Sequence, residues 1–322
     1  MKRAGLLLLA AVPLVVAATV YATTAIPLDG DAGGDGDGGA RASTRPTAAA
    51  RTPAVAAPTA RTPAVAAPAV GTPTARKPAA RTSAARPASL ADPGKKELAQ
   101  RLVASAENST LDWRAAYAYI EDIGDGQGYT AGLIGFCTGT HDLLTLVQTY
   151  TDKHPGNGLA RYLPALRDVD GTDSHDGLDP GFTAAWKAEA ARPAFRKAQD
   201  AERDRVFFDP AVRRAEQDGL GVLGQFVYYD ALVYHGPGSD PTSFDGIRAA
   251  AVRRAATPAR GGSEKAYIEA FLDVRRAAMD TLHPGTDTSR VDTEQRRFLD
   301  EGNLQLTTPL EWKVYGQTYR VA

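Results

Sequence analysis

Cysteine is almost absent from this chain. Cys137 is the 1 cysteine among 322 residues, so an internal disulfide is excluded. It ends the apolar run LIGFC, whose surroundings would raise its pKa, and we expect a buried, inert thiol rather than a nucleophile. The 5 histidines are dispersed without zinc-site spacing, and no nucleotide-binding or serine-hydrolase motif occurs. The sequence therefore predicts neither a metal nor a cofactor.

Aromatic residues are missing from residues 26–91, which excludes a hydrophobic core there. This segment is rich in Ala, Pro, Thr, Gly and Arg, and RTPAVAAP occurs at 51 and again at 61. We predict a disordered spacer. A basic arm that grips an anionic wall polymer is the alternative, although the arginines are dispersed rather than clustered.

The N-terminus resembles an export signal. Two basic residues precede an apolar run over residues 6–20, and small residues follow at Ala22 and Ala25. This order predicts a signal peptide over residues 1–25 and a secreted protein. An uncleaved membrane anchor is the alternative, because the run approaches the length of a membrane span. The catalytic domain is predicted over residues 92–322.

Basic residues are outnumbered in that domain. Residues 1–91 hold 10 Lys and Arg against 4 Asp and Glu, which leaves 27 basic and 34 acidic residues for 92–322. An acidic domain argues against nucleic acid as a partner, because phosphates require basic groups. It would attract a polycationic ligand. Ordinary solubility charge is an equally simple explanation.

Helical patterns dominate residues 92–322. Asp92 and Pro93 form a helix start, and the apolar residues that follow fall on one helical face. The segment IGDGQGYTAGLIGF is too rich in glycine for a helix and predicts a short hairpin. Helical patterns then cover residues 142–150, 182–207, 210–235, 244–256, 263–282 and 293–299. The predicted fold class is mainly α (α+β) with one small β element, and the three tryptophans are assigned to the core.

Two carboxylates near the start of the domain suggest chemistry. Glu107 closes the first helix, and Asp125 occupies an Asp-Gly turn further along the chain. Two carboxylates on a fixed scaffold are the minimal equipment for hydrolysing a glycosidic bond. A helix-end glutamate can be partly desolvated and protonated, while a hydrated turn keeps an aspartate ionised, which separates an acid from a base. Two merely solvated carboxylates are the alternative.

The helix predicted to end near His235 is apolar around most of its circumference, yet it contains Asp230. A buried carboxylate is costly unless it is paired. We therefore predict an arginine partner for Asp230, with Arg275 and Arg290 as candidates. A purely structural ion pair is the alternative. His235 either lines a cleft, where it would bind substrate, or simply terminates the helix.

The run DVDGTDSHDGLD at residues 168–179 invites comparison with a calcium-binding loop. Its glycine stands at the fourth place rather than the sixth, and it closes with Asp rather than Glu. A solvated acidic loop is therefore the prediction.

Several gap-free blocks closely resemble the chitosanases of glycoside hydrolase family 46. They include AENSTLDW, YIEDIGDGQGYTAGLIGFC, LGQFVYYDALVYHGPG and DTSRVDTEQRRFL, and the likeness runs from about residue 92 to the C-terminus. The resemblance implies a lysozyme-like fold of two mostly helical lobes around a cleft. It also implies endo-hydrolysis of the β-1,4-glucosaminyl linkages of chitosan with inversion, by a secreted protein that we expect to be a monomer.

The resemblance also implies roles for individual residues. Glu107 matches the general acid, Asp125 the general base, and Thr130 a residue that helps to hold the attacking water. Asp142 matches a carboxylate that binds a substrate ammonium group. Three further residues match a network of charged side chains that lies behind the general acid in the family: Arg290, Asp230 and Arg275. The sequence departs from the family pattern at two positions. Gln127 stands where relatives can carry Arg, and Leu282 stands in place of an acidic residue of the cleft. These differences predict altered subsite affinities.

Two other functions stay open at this stage. One is a non-catalytic envelope protein that binds an aminosugar polymer, although such a protein could have lost Glu107 or Asp125 and both are present. The other is a lysozyme-like peptidoglycan hydrolase. An acidic cleft would serve that anionic polymer poorly.

Overall fold

Residues 88–322 are described by a computed structural model, and the predicted signal peptide and nearly all of the predicted spacer lie outside the described residues. No helix within 88–322 combines the length and the apolar character needed to span a bilayer. The α-helices of this part of the chain are α1 Pro93–Asn108, α2 Asp142–Lys153, α3 Leu163–Asp168, α4 Phe182–Ala190, α5 Pro193–Arg203, α6 Asp209–Gln217, α7 Val222–His235, α8 Phe244–Arg254, α9 Glu264–Leu282 and α10 Arg296–Asp300.

The glycine-rich segment forms the predicted hairpin, extended by one strand. β1 Ile120–Asp122, β2 Tyr129–Ala131 and β3 Phe136–Cys137 make an antiparallel sheet in that order. Asp122 pairs with Tyr129 across the first two strands, so residues 123–128 form the connecting turn. Gly124, Gly126 and Gly128 all have positive φ there, which explains why glycine alternates along the turn.

Two separate hydrophobic cores divide the domain into two lobes. The first core joins α1 to α7, α9 and the C-terminal residues, and it includes Leu102, Phe226 and Trp312. The second core lies between the β1–β3 sheet and α2 to α5, and it includes Phe136 and Trp186. The mainly helical, two-lobed fold expected from the sequence is confirmed, as is the assignment of Trp113, Trp186 and Trp312 to the interior.

Helix α1 contributes to both cores and sets the position of Glu107. Leu98 and Leu102 are 5% and 0% exposed on the side of the first core, and Ala104 packs into the second. Burial of each such leucine contributes about 1.5–3 kcal/mol. Beyond the helix, Ser109 adopts a left-handed conformation with φ 51°, and its N–H donates to the carbonyl of Ala104. The chain therefore turns away two residues after Glu107.

The helical patterns differ from the structure at their breaks. The stretch predicted over 182–207 divides before Pro193, and the stretch over 210–235 divides at Gly219, whose φ is 78°. Proline opens a new helix because its missing N–H costs nothing in the first turn. The helix α7 is central as predicted, with all of its residues except Val233 buried.

A second β element contradicts the prediction of a single one. β4 Leu310–Val314 and β5 Gln317–Val321 form an antiparallel hairpin at the C-terminus. The alternation of buried Leu310, Trp312 and Val314 with more exposed Glu311 and Lys313 is typical of a strand with one buried face. This alternation of apolar and polar residues is visible in the sequence, but the prediction did not include a strand here.

Candidate active site

Glu107 lies in the last turn of α1 and is held by an arginine. Its Oε1 atom is 2.7 Å from Nη2 of Arg290, and the carboxyl side chain is 21% exposed whereas Arg290 is 1% exposed. Glu107 therefore contacts the buried charge of Arg290 and is still partly exposed to solvent. An ion pair at this distance with a buried guanidinium holds the carboxyl group in place.

Behind Glu107, Asp230 is fully buried and binds two arginines. Its Oδ1 is 2.7 Å from Nη2 of Arg290, and its Oδ2 is 2.7 Å from Nη1 of Arg275. Burial by itself would raise the pKa of Asp230, but the charges of Arg290 and Arg275 outweigh it and hold the pKa below its ordinary value. The predicted arginine partner is confirmed, and both candidates are partners.

The segment Arg290–Gln295 is wound as a π-helix, in which each N–H donates to the carbonyl five positions earlier. This winding brings Arg290 and Gln295 to the same carboxylate, because Gln295 Nε2 donates to Asp230 Oδ2 at 2.6 Å. The oxygen of the same amide accepts from Arg275 at 2.9 Å. Gln295 thus joins the network as a neutral bridge between Asp230 and Arg275.

Glu294, on the same segment, is 0% exposed, and its two oxygens have no hydrogen-bond partner among residues 88–322. Burial raises its pKa well above the ordinary value, and the charge of Asp230 adds to the shift. Its surroundings therefore favour the neutral, protonated form of Glu294. The network then holds two buried arginines, with the Asp230 carboxylate and the carboxyl group of Glu107 as their partners.

Asp125 lies in the turn between β1 and β2 and is exposed. Its Oδ1 accepts a hydrogen bond from the backbone N–H of Gln127 at 3.0 Å, a local turn that fixes the carboxylate. The carbonyl of Gln127 in turn accepts from Gly139 N–H at 2.9 Å and from the Thr138 hydroxyl at 3.1 Å. The base candidate is exposed to solvent, on a turn tied to the following segment.

Thr130 and Asp142 lie near one another around Cys137. Thr130 is 0% exposed, and its hydroxyl is 3.3 Å from the Cys137 sulfur. Asp142, at the start of α2, accepts from Cys137 N–H and from the Thr140 hydroxyl, both at 2.8 Å. Burial raises the pKa of Asp142 to about 6, although these hydrogen bonds oppose the shift. The roles of Thr130 in holding water and of Asp142 in binding an ammonium group stay predictions.

His235 is the last residue of α7 and is only 1% exposed. Its Nδ1 is 2.8 Å from the carbonyl of Thr242. Burial and the charges of Arg275 and Arg290 lower the pKa of His235 well below its ordinary value, so the ring is neutral. This geometry favours helix termination over the lining of an open cleft, and substrate binding by His235 stays a prediction.

The profile of glycosyl hydrolase family 46 matches residues 101–310. The chain is 62% identical over 232 residues to a chitosanase of Streptomyces sp. strain N174, covering 72% of this chain and 84% of that protein. The chain belongs to glycosyl hydrolase family 46. This family 46 member is therefore a glycoside hydrolase.

Solved structures agree with that membership. A chitosanase, OU01, co-crystallised with substrate superposes with a TM-score of 0.70 at 53% identity, covering 74% of this chain and 100% of that one. A chitosanase of Gynuella sunshinyii in complex with chitotetraose gives a TM-score of 0.63 at 30% identity, covering 70% and 97%.

The structure of this family 46 hydrolase gathers the predicted residues in two groups. Glu107, Arg290, Asp230 and Arg275 form one continuous network through the first lobe. The second lobe holds the group around Cys137, which contains Asp125, Thr130 and Asp142. The two candidate carboxylates therefore belong to different groups of contacts.

Sequence reasoning missed Gln295, Glu294 and Tyr234. Gln295 and Glu294 stand beside Arg290 in the block DTSRVDTEQRRFL, but only the π-helical winding directs Gln295 to Asp230. The guanidinium carbon of Arg290 is 4.8 Å from the ring centroid of Tyr234, close enough for a cation–π contact. A signal was available in the sequence. Gln295 and Glu294 are polar, lie close to Arg290 along the chain, and belong to no pattern that would direct them to solvent.

The two departures from the family pattern differ in setting. Gln127 is half-buried in the Asp125 turn, and its side-chain Oε1 lacks a hydrogen-bond partner among the described residues. Leu282 ends α9 and is 38% exposed, which is unusual for a large apolar side chain in this structure. A leucine cannot supply the negative charge of an acid, and the altered subsite affinity expected from Leu282 stays a prediction.

The environment of Cys137 predicts an inert thiol. The side chain is 2% exposed, and burial raises its pKa to about 12. The thiolate fraction at neutral pH is then lower by about 10³-fold than for a free cysteine. We expect a disulfide reagent such as Ellman's reagent to modify native protein at least about 100-fold more slowly than protein unfolded in urea. Equal rates in the two states would contradict this.

Proposed function

We propose that this family 46 hydrolase is a secreted endo-chitosanase that inverts the anomeric carbon, with Glu107 as general acid and Asp125 as general base. The observation that carries the proposal is the Glu107–Arg290–Asp230 network, in which a carboxyl group that is 21% exposed lies 2.7 Å from a buried arginine. The names of the relatives support chitosan as the polymer.

Glu107 suits the acid role because the buried Arg290 holds its carboxyl group in position. It would donate its proton to the leaving oxygen of the glycosidic bond, and Arg290 would then stabilise the carboxylate that remains. Asp230 and Arg275 keep Arg290 in place, since a lone buried guanidinium would be strongly disfavoured.

Asp125 suits the base role because it is exposed and locally oriented. Its Oδ1 is bound to Gln127 N–H, so we assign Oδ2 to the attacking water. Inverting hydrolases leave room for that water between carboxyl groups that are about 6.5–9.5 Å apart. Placement of the two carboxylates in different lobes supports such a gap, and Thr130 is our candidate for a second contact to the water.

Charge supports a cationic substrate. Residues 92–322 carry 34 acidic and 27 basic residues, and glucosamine ammonium groups are attracted to carboxylates. Asp142, whose pKa is raised to about 6, would be ionised and able to bind such a group at neutral pH. An anionic glycan such as peptidoglycan gains nothing from these charges.

The stereochemistry of the product tests the proposal. When the full-length protein digests chitosan, we expect the first oligomers observed by proton NMR to be α-anomers, because inversion of a β-linkage gives an α-product. A rapid fall in viscosity with few new reducing ends would show endo-cleavage. Peptidoglycan serves as the comparison substrate.

Release of β-anomers would refute the inverting mechanism. Cleavage of peptidoglycan rather than chitosan would favour the lysozyme-like alternative. Binding of chitosan without any cleavage would favour the non-catalytic binding protein.

A further inference from the structure

The acidic loop 168–179 has no part in the proposed mechanism, yet it is packed against the sheet that carries Asp125. Within residues 88–322 no cluster of three or more His, Cys, Asp or Glu side chains is arranged to hold a metal ion. Two of the loop's carboxylates, on Asp170 and Asp179, lie close to histidine side chains. His141 Nδ1 is 2.7 Å from Asp170 Oδ2, and His175 lies close to both Asp122 and Asp179.

His175 contacts both ends of the turn that carries Asp125. Its Nε2 is 3.2 Å from Oδ2 of Asp122, the last residue of β1. Its ring stacks on that of Tyr129, the first residue of β2, with centroids 4.0 Å apart and planes inclined by 8°. Asp122 and Tyr129 are paired across β1 and β2. The His175 imidazole therefore contacts both strands at the end where the turn joins them.

A second contact ties the same histidine to the loop. Nδ1 of His175 is 3.4 Å from Oδ2 of Asp179, and the Tyr129 hydroxyl donates to Oδ1 of Asp179 at 2.9 Å. His175, Tyr129 and Asp179 therefore form a closed triangle. Asp122 extends it to β1, where the other oxygen of that carboxylate accepts from Gly124 N–H at 2.8 Å.

The turn needs such support because its backbone is permissive. Gly124, Gly126 and Gly128 alternate along it with positive φ, and glycine loses more conformational entropy on ordering than other residues. The loop also covers the turn directly, since a Cβ atom at Gly128 would lie 3.2 Å from Cα of Asp173. Asp125 is in the middle of this turn, three residues from Asp122.

We propose that His175 is a positioning residue for the reaction, which clamps the two ends of the turn and so holds Asp125 in the orientation that activates water. The inference rests on the proposed role of Asp125 as general base. Because a displacement of about 1 Å at a reacting group can cost 10²-fold in rate, a turn loosened at its base would slow turnover without removing any group that binds substrate.

A double-mutant cycle tests the clamp. His175→Phe keeps an aromatic ring over Tyr129 but removes both nitrogens, and Asp122→Ala removes the carboxylate that Nε2 faces. His175 and Asp122 side chains are 27% and 36% exposed, so both variants should fold. We expect each to lower kcat on chitosan by about tenfold with KM changed less than twofold. The double variant should lose clearly less than the product of the two single losses, because both variants break the His175–Asp122 contact, although each also removes one further contact, to Asp179 or to Gly124.

Asp176→Ala is the matched control. Asp176 is the exposed carboxylate next to His175 in the same loop, and its removal should leave kcat within twofold. Unchanged kcat in His175→Phe or in Asp122→Ala, or losses that multiply to about 100-fold in the double variant, would overturn the clamp.

Asp125→Asn, assayed alongside, separates the two ideas. If it loses activity while His175→Phe does not, only the clamp fails. If Asp125→Asn stays active, the proposed base is wrong.

Discussion

Glu107→Gln should lower the rate of chitosan hydrolysis by about 10²–10⁴-fold while the protein stays folded; this is the largest loss of activity that we expect. Glutamine has the same shape and retains an oxygen for Arg290, which is 2.7 Å from Glu107 Oε1, but it has no acidic proton to give. General acid catalysis contributes about 10²–10⁴-fold, so kcat should fall within that range. Reducing-end assays and thermal unfolding measure the two quantities.

The control for this variant is Glu269→Gln, the same change at an exposed position of α9, which should leave kcat within twofold. A glucosamine oligomer with a nitrophenolate leaving group provides a sharper test. Because that group departs without a proton, its hydrolysis should suffer far less than that of chitosan. Wild-type activity of Glu107→Gln on chitosan would refute the assignment of the acid.

Removal of Arg290 should cause the largest loss of stability. Arg290→Ala leaves Glu107 without its partner and leaves Asp230, 0% exposed, with Arg275 as its remaining arginine. Breaking a buried pair typically costs about 3–5 kcal/mol. We expect the free energy of unfolding in urea to fall by about that amount, and activity to be lost with it.

Arg276→Ala is the matched control, because Arg276 forms a pair with Asp292 at 2.9 Å but its side chain is 55% exposed. Exposed pairs contribute about 0.2–1 kcal/mol, so this variant should unfold almost like the wild type. If Arg290→Ala is no less stable than Arg276→Ala, the buried network does not stabilise the fold. Full activity of Arg290→Ala would remove its proposed support of Glu107.

Local features of the site followed from the sequence because they depend on neighbouring residues. Pro93 and the break after Asn108 set the ends of α1 and so placed Glu107 at a helix terminus. The alternating glycines predicted the turn around Asp125. The need of Asp230 for an arginine also followed, since a carboxylate in an apolar helix is too costly alone.

Long-range features did not follow. Asp230 and Arg290 are separated by 60 positions, and the sequence offered Arg275 and Arg290 as alternatives where the fold uses both. Gln295 reaches Asp230 only through the π-helical winding of its segment. The acidic loop was predicted as solvated, but His175 in it reaches Asp122, a contact that depends on how two distant segments pack.

By itself the sequence determined the kind of protein: a mainly helical domain of family 46, with two carboxylates on a helix end and in a glycine turn. Helix caps, turn glycines and the cost of a lone buried charge act over a few residues, so they can be read along the chain. Only the tertiary structure decided which side chains support those carboxylates. Arg290 behind Glu107 and His175 beside the Asp125 turn are brought there by packing between segments far apart in sequence, which no local preference encodes.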